Sequence, residues 1–152
     1  MSRLQLALNV PNLEEAISFY STLFQTEPAK IRPGYANFAI ANPPLKLVLM
    51  ESDAAPGSIN HLGIEVESTE LVGEATAMLQ GAGLPTEIEE STTCCYAVQD
   101  KVWVGGPDTT RWEVYTVLAD ATGGPAPEDG FCVPESVGIS IGRTLEQSAP
   151  CC

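Results

Sequence analysis

Gln5-Leu6-Ala7-Leu8-Asn9-Val10 is matched 56 residues later by His61-Leu62-Gly63-Ile64-Glu65-Val66. In both segments apolar residues recur at every second position, which predicts a β-strand with one buried face. Each segment opens the same succession of patterns, a helix followed by further strands. Repetition of one supersecondary unit is therefore the main architectural signal of the chain.

The first copy has clear boundaries. Pro11 ends the opening strand, and Asn12 is a good N-cap for a helix, with Glu15 at the capping-box position. Apolar residues at helical spacing predict that this helix continues to Phe24. A connection over 25–34 leads to the remaining strands of this half. The strands predicted for the first half are 4–10, 35–41 and 45–51.

The second copy starts after a linker at 52–58. Ser68 or Thr69 can cap its helix, whose apolar stripe ends near Gly81 or Gly83. The strands predicted here are 59–66, 85–90, 96–104 and 111–118. The second half shows the full β-α-β-β-β order, and each half is interpreted as such a unit, with three of the four strands of the first half located. We expect an α+β fold in which two βαβββ modules form a curved mixed β-sheet cup.

The domain organisation follows from this repeat. Residues 1–118 are predicted to form one domain, with module 1 at about 1–52 and module 2 at about 58–118. Residues 119–152 are rich in Gly and Pro and end in a second vicinal cysteine pair, Cys151–Cys152. They are predicted to form a C-terminal tail.

Charge and hydropathy exclude several classes of partner. The net charge of −13 repels phosphate backbones, so we expect no nucleic-acid binding. No apolar run is long enough to span a membrane, and the N-terminus lacks the apolar segment of a signal peptide. We expect a cytoplasmic protein that is not bound to a membrane. The oligomeric state stays open, a homodimer included.

Five cysteines are present: Cys94, Cys95, Cys132, Cys151 and Cys152. In a reducing compartment we expect free thiols. A disulfide between neighbours needs Cα atoms closer than the usual bridge has, whereas two adjacent thiols make a clamp for soft, thiophilic centres. Both Cys94 and Cys95 can reach one atom only from a loop or bulge, because successive side chains of a strand point to opposite faces. Ser91-Thr92-Thr93 is consistent with such a loop.

Three polar residues in predicted strands are candidate metal ligands. Gln5 and His61 occupy the same position in the two copies of the repeat, and Glu113 lies within the apolar last strand. Each has an ordinary alternative: Gln5 at a strand edge, His61 in the core, and Glu113 on a solvent-exposed face. Taken together, the three favour a metal site. Histidine and carboxylate with open positions suit Fe(II), and zinc is less favoured because an amide is a weak ligand for it.

The string Thr92-Thr93-Cys94-Cys95-Tyr96-Ala97-Val98-Gln99-Asp100-Lys101, with the later Trp-Glu-Val-Tyr at 112–115, resembles one branch of a known superfamily. This is the vicinal oxygen chelate superfamily, also called the glyoxalase/bleomycin resistance/extradiol dioxygenase superfamily. The branch contains the organoarsenical carbon–arsenic lyases and cadmium-induced proteins. The resemblance covers roughly residues 1–118.

The resemblance implies a reaction and its site. Fe(II), or another divalent metal in its place, would be held by Gln5, His61 and Glu113. Cys94 and Cys95 would bind a trivalent organoarsenical such as methylarsenite through two As–S bonds. Dioxygen, as co-substrate, would then be used to cleave the carbon–arsenic bond and release arsenite. Tyr96 and Lys101, beside the thiol pair, are the candidate catalytic residues lining the pocket, and ordinary strand positions are their alternative.

The chain also departs from the pattern. Many members carry histidine where this chain has Gln5, and an amide would hold iron more weakly. Leu47 and Leu49 lie on the strand where four-ligand glyoxalases carry a glutamate, which argues against an isomerase, and Glu51 is a fallback fourth ligand. Two other functions stay open. One is non-enzymatic sequestration of cadmium or metalloids, and the other is a glyoxalase- or thiol-transferase-like metalloenzyme.

Overall fold

The computed structural model describes residues 2–94 and 96–121. It contains eight strands and two helices in these residues. They are β1 (Arg3–Val10), α1 (Leu13–Phe24), β2 (Lys30–Arg32), β3 (Tyr35–Ile40), β4 (Leu45–Glu51), β5 (Ile59–Glu65), α2 (Thr69–Gly81), β6 (Thr86–Cys94), β7 (Ala97–Gly105) and β8 (Arg111–Asp120). The repeated β-α-β-β-β order is confirmed.

All eight strands form a single mixed sheet with the order β2-β3-β4-β1-β5-β8-β7-β6. In each module the first strand pairs in parallel with the last strand, β1 with β4 and β5 with β8. The two modules join where β1 and β5 pair antiparallel at the centre of the sheet. The opening strands of the repeat are therefore neighbours, and residues on their inner faces lie close together.

Both helices begin where the sequence predicts. The Asn12 side chain accepts a hydrogen bond from the Glu15 backbone N–H at 3.0 Å, which caps α1. The Ser68 hydroxyl accepts from the Leu71 N–H at 3.4 Å and caps α2. Each cap satisfies a backbone donor that has no partner within its helix. The helices pack on one face of the sheet, α1 on β3 and β4, and α2 on β6, β7 and β8.

The other face of the sheet is the inside of the cup, and it carries polar residues that are buried. The apolar core lies between α1 and the sheet and includes Phe38, Leu47 and Leu49. Alternation along the strands sends the intervening residues into the cup. Buried polar side chains on this inner face are Gln5, Asn9, Lys46, His61, Gln99, Lys101 and Glu113. Buried polar groups need partners, so this face is the place to look for chemistry.

Two predictions about local structure are wrong. Lys30–Arg32, placed in a connection, forms the short edge strand β2 against β3. Ser91-Thr92-Thr93, placed in a loop, belongs to β6, where the β-branched threonines suit a strand. A bulge between Glu89 and Thr92 interrupts the pairing there, and Ser91 adopts a positive φ of 50°. Its N–H donates to the Asp100 carboxylate at 2.7 Å, which satisfies the group that the bulge leaves without a ladder partner.

Some sequence predictions concern the end of the domain and residues outside 2–94 and 96–121. Strand β8 ends at Asp120, two residues past the predicted domain boundary. The division into a domain at 1–118 and a tail stays a prediction, because 122–152 lie outside the described residues, as do Cys95, Cys132, Cys151 and Cys152. Within the described part of the chain, no helix is long and apolar enough to cross a membrane.

Candidate active site

Gln5, His61 and Glu113 meet on the floor of the cup, on the three central strands β1, β5 and β8. The Gln5 Nε2 lies 2.9 Å from His61 Nε2 and 2.6 Å from Glu113 Oε1. His61 Nε2 lies 3.4 Å from Glu113 Oε1. The three side chains are almost fully buried, between 2% and 4% exposed. The structure thus brings together the three residues that the repeat pattern nominates.

Gly63 makes this approach possible. It pairs with Gln5 on one side and with Glu113 on the other, so it lies between the two side chains across the sheet. A Cβ atom at this position would lie 3.1 Å from Glu113 Cγ and 3.2 Å from both Gln5 Cβ and Gln5 Nε2. Glycine within a strand often marks a close approach of this kind.

The hydrogen bond to Asn60 indicates which tautomer of the His61 ring is present. Its Nδ1 lies 2.8 Å from Asn60 Oδ1, and the amide nitrogen of Asn60 donates to Asn9 Oδ1 at 3.0 Å. Because Oδ1 of Asn60 can only accept, Nδ1 carries the proton, and in the neutral imidazole the lone pair is on Nε2. The nitrogen that carries the lone pair, Nε2, therefore faces Gln5 and Glu113.

The Glu113 carboxylate is held in its ionised form. Its Oε2 lies 2.9 Å from Lys101 Nζ, and both side chains are buried. Burial by itself raises the pKa of Glu113, but the Lys101 ammonium and His61 outweigh this and lower the pKa to about 2. Trp103 lies over this ion pair. Its ring is edge-on to the His61 ring, with the two centroids 5.4 Å apart, and Lys101 Nζ lies 5.2 Å from the Trp103 centroid. Lys101 therefore leaves Oε1 as the oxygen turned toward His61 and Gln5.

This donor set fits a divalent transition metal. Three donors about 2.1 Å from one ion, at right angles, lie about 3 Å apart, and the three separations here range from 2.6 to 3.4 Å. Among residues 2–94 and 96–121, no group of three His, Cys, Asp or Glu side chains could hold a metal, because the third side chain here is an amide. The fit has one requirement: the Gln5 amide must present its oxygen, and in this structure its nitrogen is turned inward.

The hairpin between β6 and β7 reaches over the cup. Tyr96, in the turn, adopts a positive φ of 65° and packs on Tyr35, Ala7 and Val48, with the two tyrosine rings 5.8 Å apart. Lys30 Nζ donates to the Tyr96 carbonyl at 3.1 Å, which ties the turn to β2. The predicted pocket residues Tyr96 and Lys101 both line the cup, at its rim and on its floor.

Cys94 is the last residue of β6, directly before this turn, and is 2% exposed. Its sulfur is in a disulfide, whose partner lies outside the described residues, as Cys95 itself does. The expectation of a free thiol at Cys94 is therefore wrong for this structure. That expectation rested on the redox state of the predicted compartment alone.

Strand β4 has one face toward α1 and one face toward the cup. Leu47 and Leu49 pack in the core beside α1, whereas Val48 lies in the cluster with Tyr96. Lys46, also in the cup, pairs with Glu65 at 3.3 Å. Strand β4 thus adds no carboxylate to the cup, as expected, although the residues that decide this lie on its other face. Glu51 accepts a hydrogen bond from the Leu13 N–H at 2.7 Å and caps α1, so it is not a fourth ligand.

The sequence reasoning missed a second layer of residues behind the three ligands. The Tyr115 hydroxyl lies 2.6 Å from Gln5 Oε1 and 2.8 Å from Glu65 Oε2. Glu65 also accepts from Arg3 at 3.0 Å. Period-two alternation would have found both residues, because Tyr115 is two positions from Glu113 and Glu65 is four from His61.

The sequence of the chain is similar to those of known proteins. The sequence pattern of the Glyoxalase/Bleomycin resistance protein/Dioxygenase superfamily matches residues 3–114. The chain is 54% identical over 154 aligned positions to the trivalent organoarsenical cleaving enzyme of Thermomonospora curvata, with all of both chains covered. It is 65% identical over 121 residues to the cadmium-induced protein CadI of Mycobacterium tuberculosis, with 80% of each chain covered.

Solved structures share the fold. The 2,3-dioxygenase LapB from Pseudomonas sp. KL28 superposes with a TM-score of 0.60 at 21% identity, covering 80% of this chain and 43% of that chain. The Mn(II)-bound glyoxalase from Novosphingobium aromaticivorans superposes with a TM-score of 0.59 at 19% identity, covering 86% of this chain and 45% of that chain. The expected α+β cup of two βαβββ modules is confirmed.

Proposed function

Because the chain belongs to the glyoxalase/bleomycin resistance protein/dioxygenase superfamily, we propose that it cleaves the carbon–arsenic bond of trivalent organoarsenicals, using Fe(II) and dioxygen, and releases arsenite. The observation that carries the proposal is the buried cluster of Gln5, His61 and Glu113 in a cup whose rim hairpin contains Cys94. The 54% identity to a trivalent organoarsenical cleaving enzyme supports it.

The fold orients each of the three proposed ligands toward the same point. His61 presents the lone pair of Nε2, Glu113 presents Oε1, and Gln5 completes the set through its amide. When bound there, Fe(II) supplies activation of dioxygen, the chemistry typical of sites with histidine and carboxylate ligands and open positions. Lys101 keeps Glu113 ionised and fixes its second oxygen.

Substrate capture falls to Cys94 and Cys95. Methylarsenite, CH3As(OH)2, loses its two hydroxyl groups as water when two thiols form As–S bonds, so no electrons are exchanged. Before this step, a two-electron reductant such as a small thiol must reduce the disulfide at Cys94, and this reductant takes no part in the turnover that follows. Tyr96, packed on Tyr35, holds the hairpin against the cup, so the bound arsenical is brought to the ligand cluster and catalysis gains from positioning.

The overall reaction balances without another reductant. One methylarsenite and one dioxygen give one arsenite and one formaldehyde, since CH3As(OH)2 + O2 equals As(OH)3 + CH2O. Arsenic stays trivalent, the methyl carbon is oxidised and dioxygen is reduced. The cup excludes bulk water from the cluster, because His61, Lys101, Trp103 and Glu113 are all at most 2% exposed.

The test is a single-turnover assay. Reduced protein is loaded anaerobically with Fe(II), incubated with methylarsenite, and then exposed to air while arsenite and formaldehyde are measured. We expect the two products in a one-to-one ratio, and none without iron or without air. Retention of unchanged methylarsenite by fully loaded protein would contradict the proposal.

Two variants separate the thiols from the metal ligands. We expect Cys94→Ser to abolish turnover and leave the iron content unchanged, since the thiols bind arsenic and not iron. We expect His61→Ala to lose iron and retain arsenical binding. Loss of iron from the Cys94→Ser protein would make Cys94 a metal ligand and would refute its assigned role.

A second function, sequestration of cadmium or metalloids without catalysis, is favoured by the 65% identity to a cadmium-induced protein. Under this alternative the protein binds Cd(II) or arsenicals through its thiols, and the His61→Ala variant protects cells as well as the wild type does. Under the proposed function that variant gives no protection against methylarsenite.

A further inference from the structure

The Tyr115 hydroxyl has two hydrogen-bond acceptors and one proton. It lies 2.6 Å from Gln5 Oε1 and 2.8 Å from Glu65 Oε2, and the Tyr115 side chain is fully buried. A hydroxyl donates one hydrogen bond and can accept others, so only one of these two oxygens receives the proton at a time. At the other contact, either the Tyr115 oxygen accepts a hydrogen bond from its partner, or two oxygen atoms with no hydrogen between them repel each other.

The Gln5 amide also has a donor end and an acceptor end, and its orientation decides which group each end meets. Without a metal, its NH2 group donates to two acceptors, Glu113 Oε1 and the lone pair of His61 Nε2. Its oxygen then accepts the Tyr115 proton. In this arrangement both ends of the Gln5 amide have partners, but Glu65 Oε2 receives no hydrogen bond from Tyr115. A metal cannot be held by an amide nitrogen whose hydrogens point inward.

Rotating the Gln5 amide by 180° exchanges its two ends. The oxygen then faces His61 Nε2 and Glu113 Oε1, and the NH2 faces Tyr115. Three acceptor atoms within 3.4 Å of one another repel unless a cation lies among them, so this rotamer belongs to the metal-loaded site. The Tyr115 oxygen now accepts a hydrogen bond from the Gln5 NH2 group, and the Tyr115 hydroxyl donates its own hydrogen bond to Glu65.

Resting on the proposed metal site, we propose that Tyr115 is a positioning residue that lets Gln5 act as a metal ligand. It accepts from the Gln5 amide when the metal is bound and donates to it when the site is empty. Glu65 is suited to accept the Tyr115 hydrogen bond in the metal-loaded state, because its ion pairs with Arg3 and Lys46 hold its carboxylate in place and ionised. An amide ligand needs such a partner because its two ends differ, whereas a carboxylate ligand does not.

The test is a double-mutant cycle of Tyr115→Phe with Gln5→Glu, measured by Mn²⁺ binding to the reduced metal-free protein. We expect Tyr115→Phe to weaken Mn²⁺ binding by about 10- to 100-fold when residue 5 is glutamine. In the Gln5→Glu background, where both oxygens are equivalent, we expect the same change to weaken binding less than about threefold. Tyr35→Phe is the matched control, since it removes a buried hydroxyl in the cup that bonds Asn37 and none of the three ligands.

Equal losses in the two backgrounds, or no loss in either, would overturn the proposal. If the wild type itself binds no Mn²⁺, the metal site of the proposed function fails first, so the two failures are distinct. A second measurement uses the wild type alone and does not depend on the folding of a variant. In NMR spectra, the Gln5 side-chain NH2 should show nuclear Overhauser contacts to the Tyr115 ring after loading with Zn²⁺ and to the His61 ring before it. Contacts that stay the same would also overturn the proposal.

Discussion

At the scale of single residues, the most demanding position in the site is a glycine. A side chain at Gly63 would press on Gln5 and Glu113 at 3.1 to 3.2 Å, so the two ligands would have to move apart. We expect Gly63→Ala to weaken Mn²⁺ binding about tenfold or more, because ligand sets tolerate displacements of only about 0.5 Å. Calorimetric titration of the metal-free protein measures this.

Gly73→Ala is the control for the Gly63 variant. Gly73 lies in α2, where an added Cβ would have no neighbouring atom within 4 Å, and alanine favours a helix by about 1 kcal/mol. We expect this variant to be more stable and to bind metal as the wild type does. Unchanged metal binding by the Gly63→Ala protein would mean that Gln5 and Glu113 do not need their present separation.

Lys101 is the other residue whose replacement has a defined outcome. Its ammonium is buried against Glu113 and Trp103, so Lys101→Met leaves a buried carboxylate without its cation. We expect the metal-free variant to lose about 3 to 5 kcal/mol of unfolding free energy. A bound divalent ion restores positive charge beside Glu113, so Mn²⁺ should raise the melting temperature more in the variant than in the wild type. An equal or smaller rise would contradict this.

From the sequence we could predict the three polar residues that meet in the cup, but not their surroundings. Gln5 and His61 are recognisable because the repeat places two polar residues at one position, and Glu113 because a carboxylate interrupts an apolar strand. Alternation places Tyr115 on the same face as Glu113, but nothing in the sequence marks its role, since an aromatic residue in a strand is most often part of an apolar core. Its role depends on two oxygens brought to it by β1 and β5, which only the paired strands specify.

At the scale of elements, the aromatic ring of Tyr96 packs the β6–β7 hairpin against the cup. Tyr96 combines a positive φ with packing on Tyr35, so glycine at this position would relax the backbone and remove the contact. We expect Tyr96→Gly to weaken methylarsenite binding by roughly tenfold while Mn²⁺ affinity stays unchanged. Fluorescence titration with the arsenical and calorimetry with Mn²⁺ measure the two affinities separately. A parallel loss of metal affinity would show that the turn also supports the floor of the cup.

Helices and strands differed in how far the sequence determines them. Asn12 and Ser68 are local signals, because the bonded N–H groups lie three residues away, and both helix starts were predicted. The bulge at Ser91 was not, because its backbone is stabilised by Asp100 on the neighbouring strand. Strand β2 has only three residues and depends on its pairing with β3. Features that depend on distant partners were thus the ones that local patterns missed.

At the scale of the whole molecule, ion pairs between the two modules oppose the repulsion that the net negative charge produces. The chain has a net charge of −13, which favours separation of its parts. At the junction of the two modules, however, Arg3 and Lys46 from the first face Glu65 from the second. This junction also carries the Tyr115 contact to Gln5, so it joins module pairing to the ligand cluster.

The junction predicts a pH dependence of stability. Burial by itself raises the pKa of Glu65, but Lys46, the Tyr115 hydroxyl and Arg3 together lower it below its ordinary value of 4.5. A carboxyl group with a lowered pKa in the folded state stabilises the fold above its unfolded pKa, and this stabilisation is lost as the pH falls toward the folded value. We expect Glu65→Gln to reduce the unfolding free energy by about 1 kcal/mol at pH 7, since the pairs are partly exposed. The difference should shrink below pH 4.5.

Glu74→Gln gives the charge-matched comparison, because Glu74 lies on an exposed part of α2. In a chain with a net charge of −13, loss of one surface carboxylate relieves repulsion, so this variant should be as stable as the wild type or more stable at pH 7. Urea unfolding of the three proteins between pH 3 and pH 7 separates the two effects. If Glu65→Gln followed the same curve as Glu74→Gln, net charge would explain the dependence, and the ion pairs at the module junction would add nothing to stability. If instead only the Glu65 variant is destabilised, and only above pH 4.5, the ion pairs of this carboxylate with Arg3 and Lys46 help to hold the two modules together.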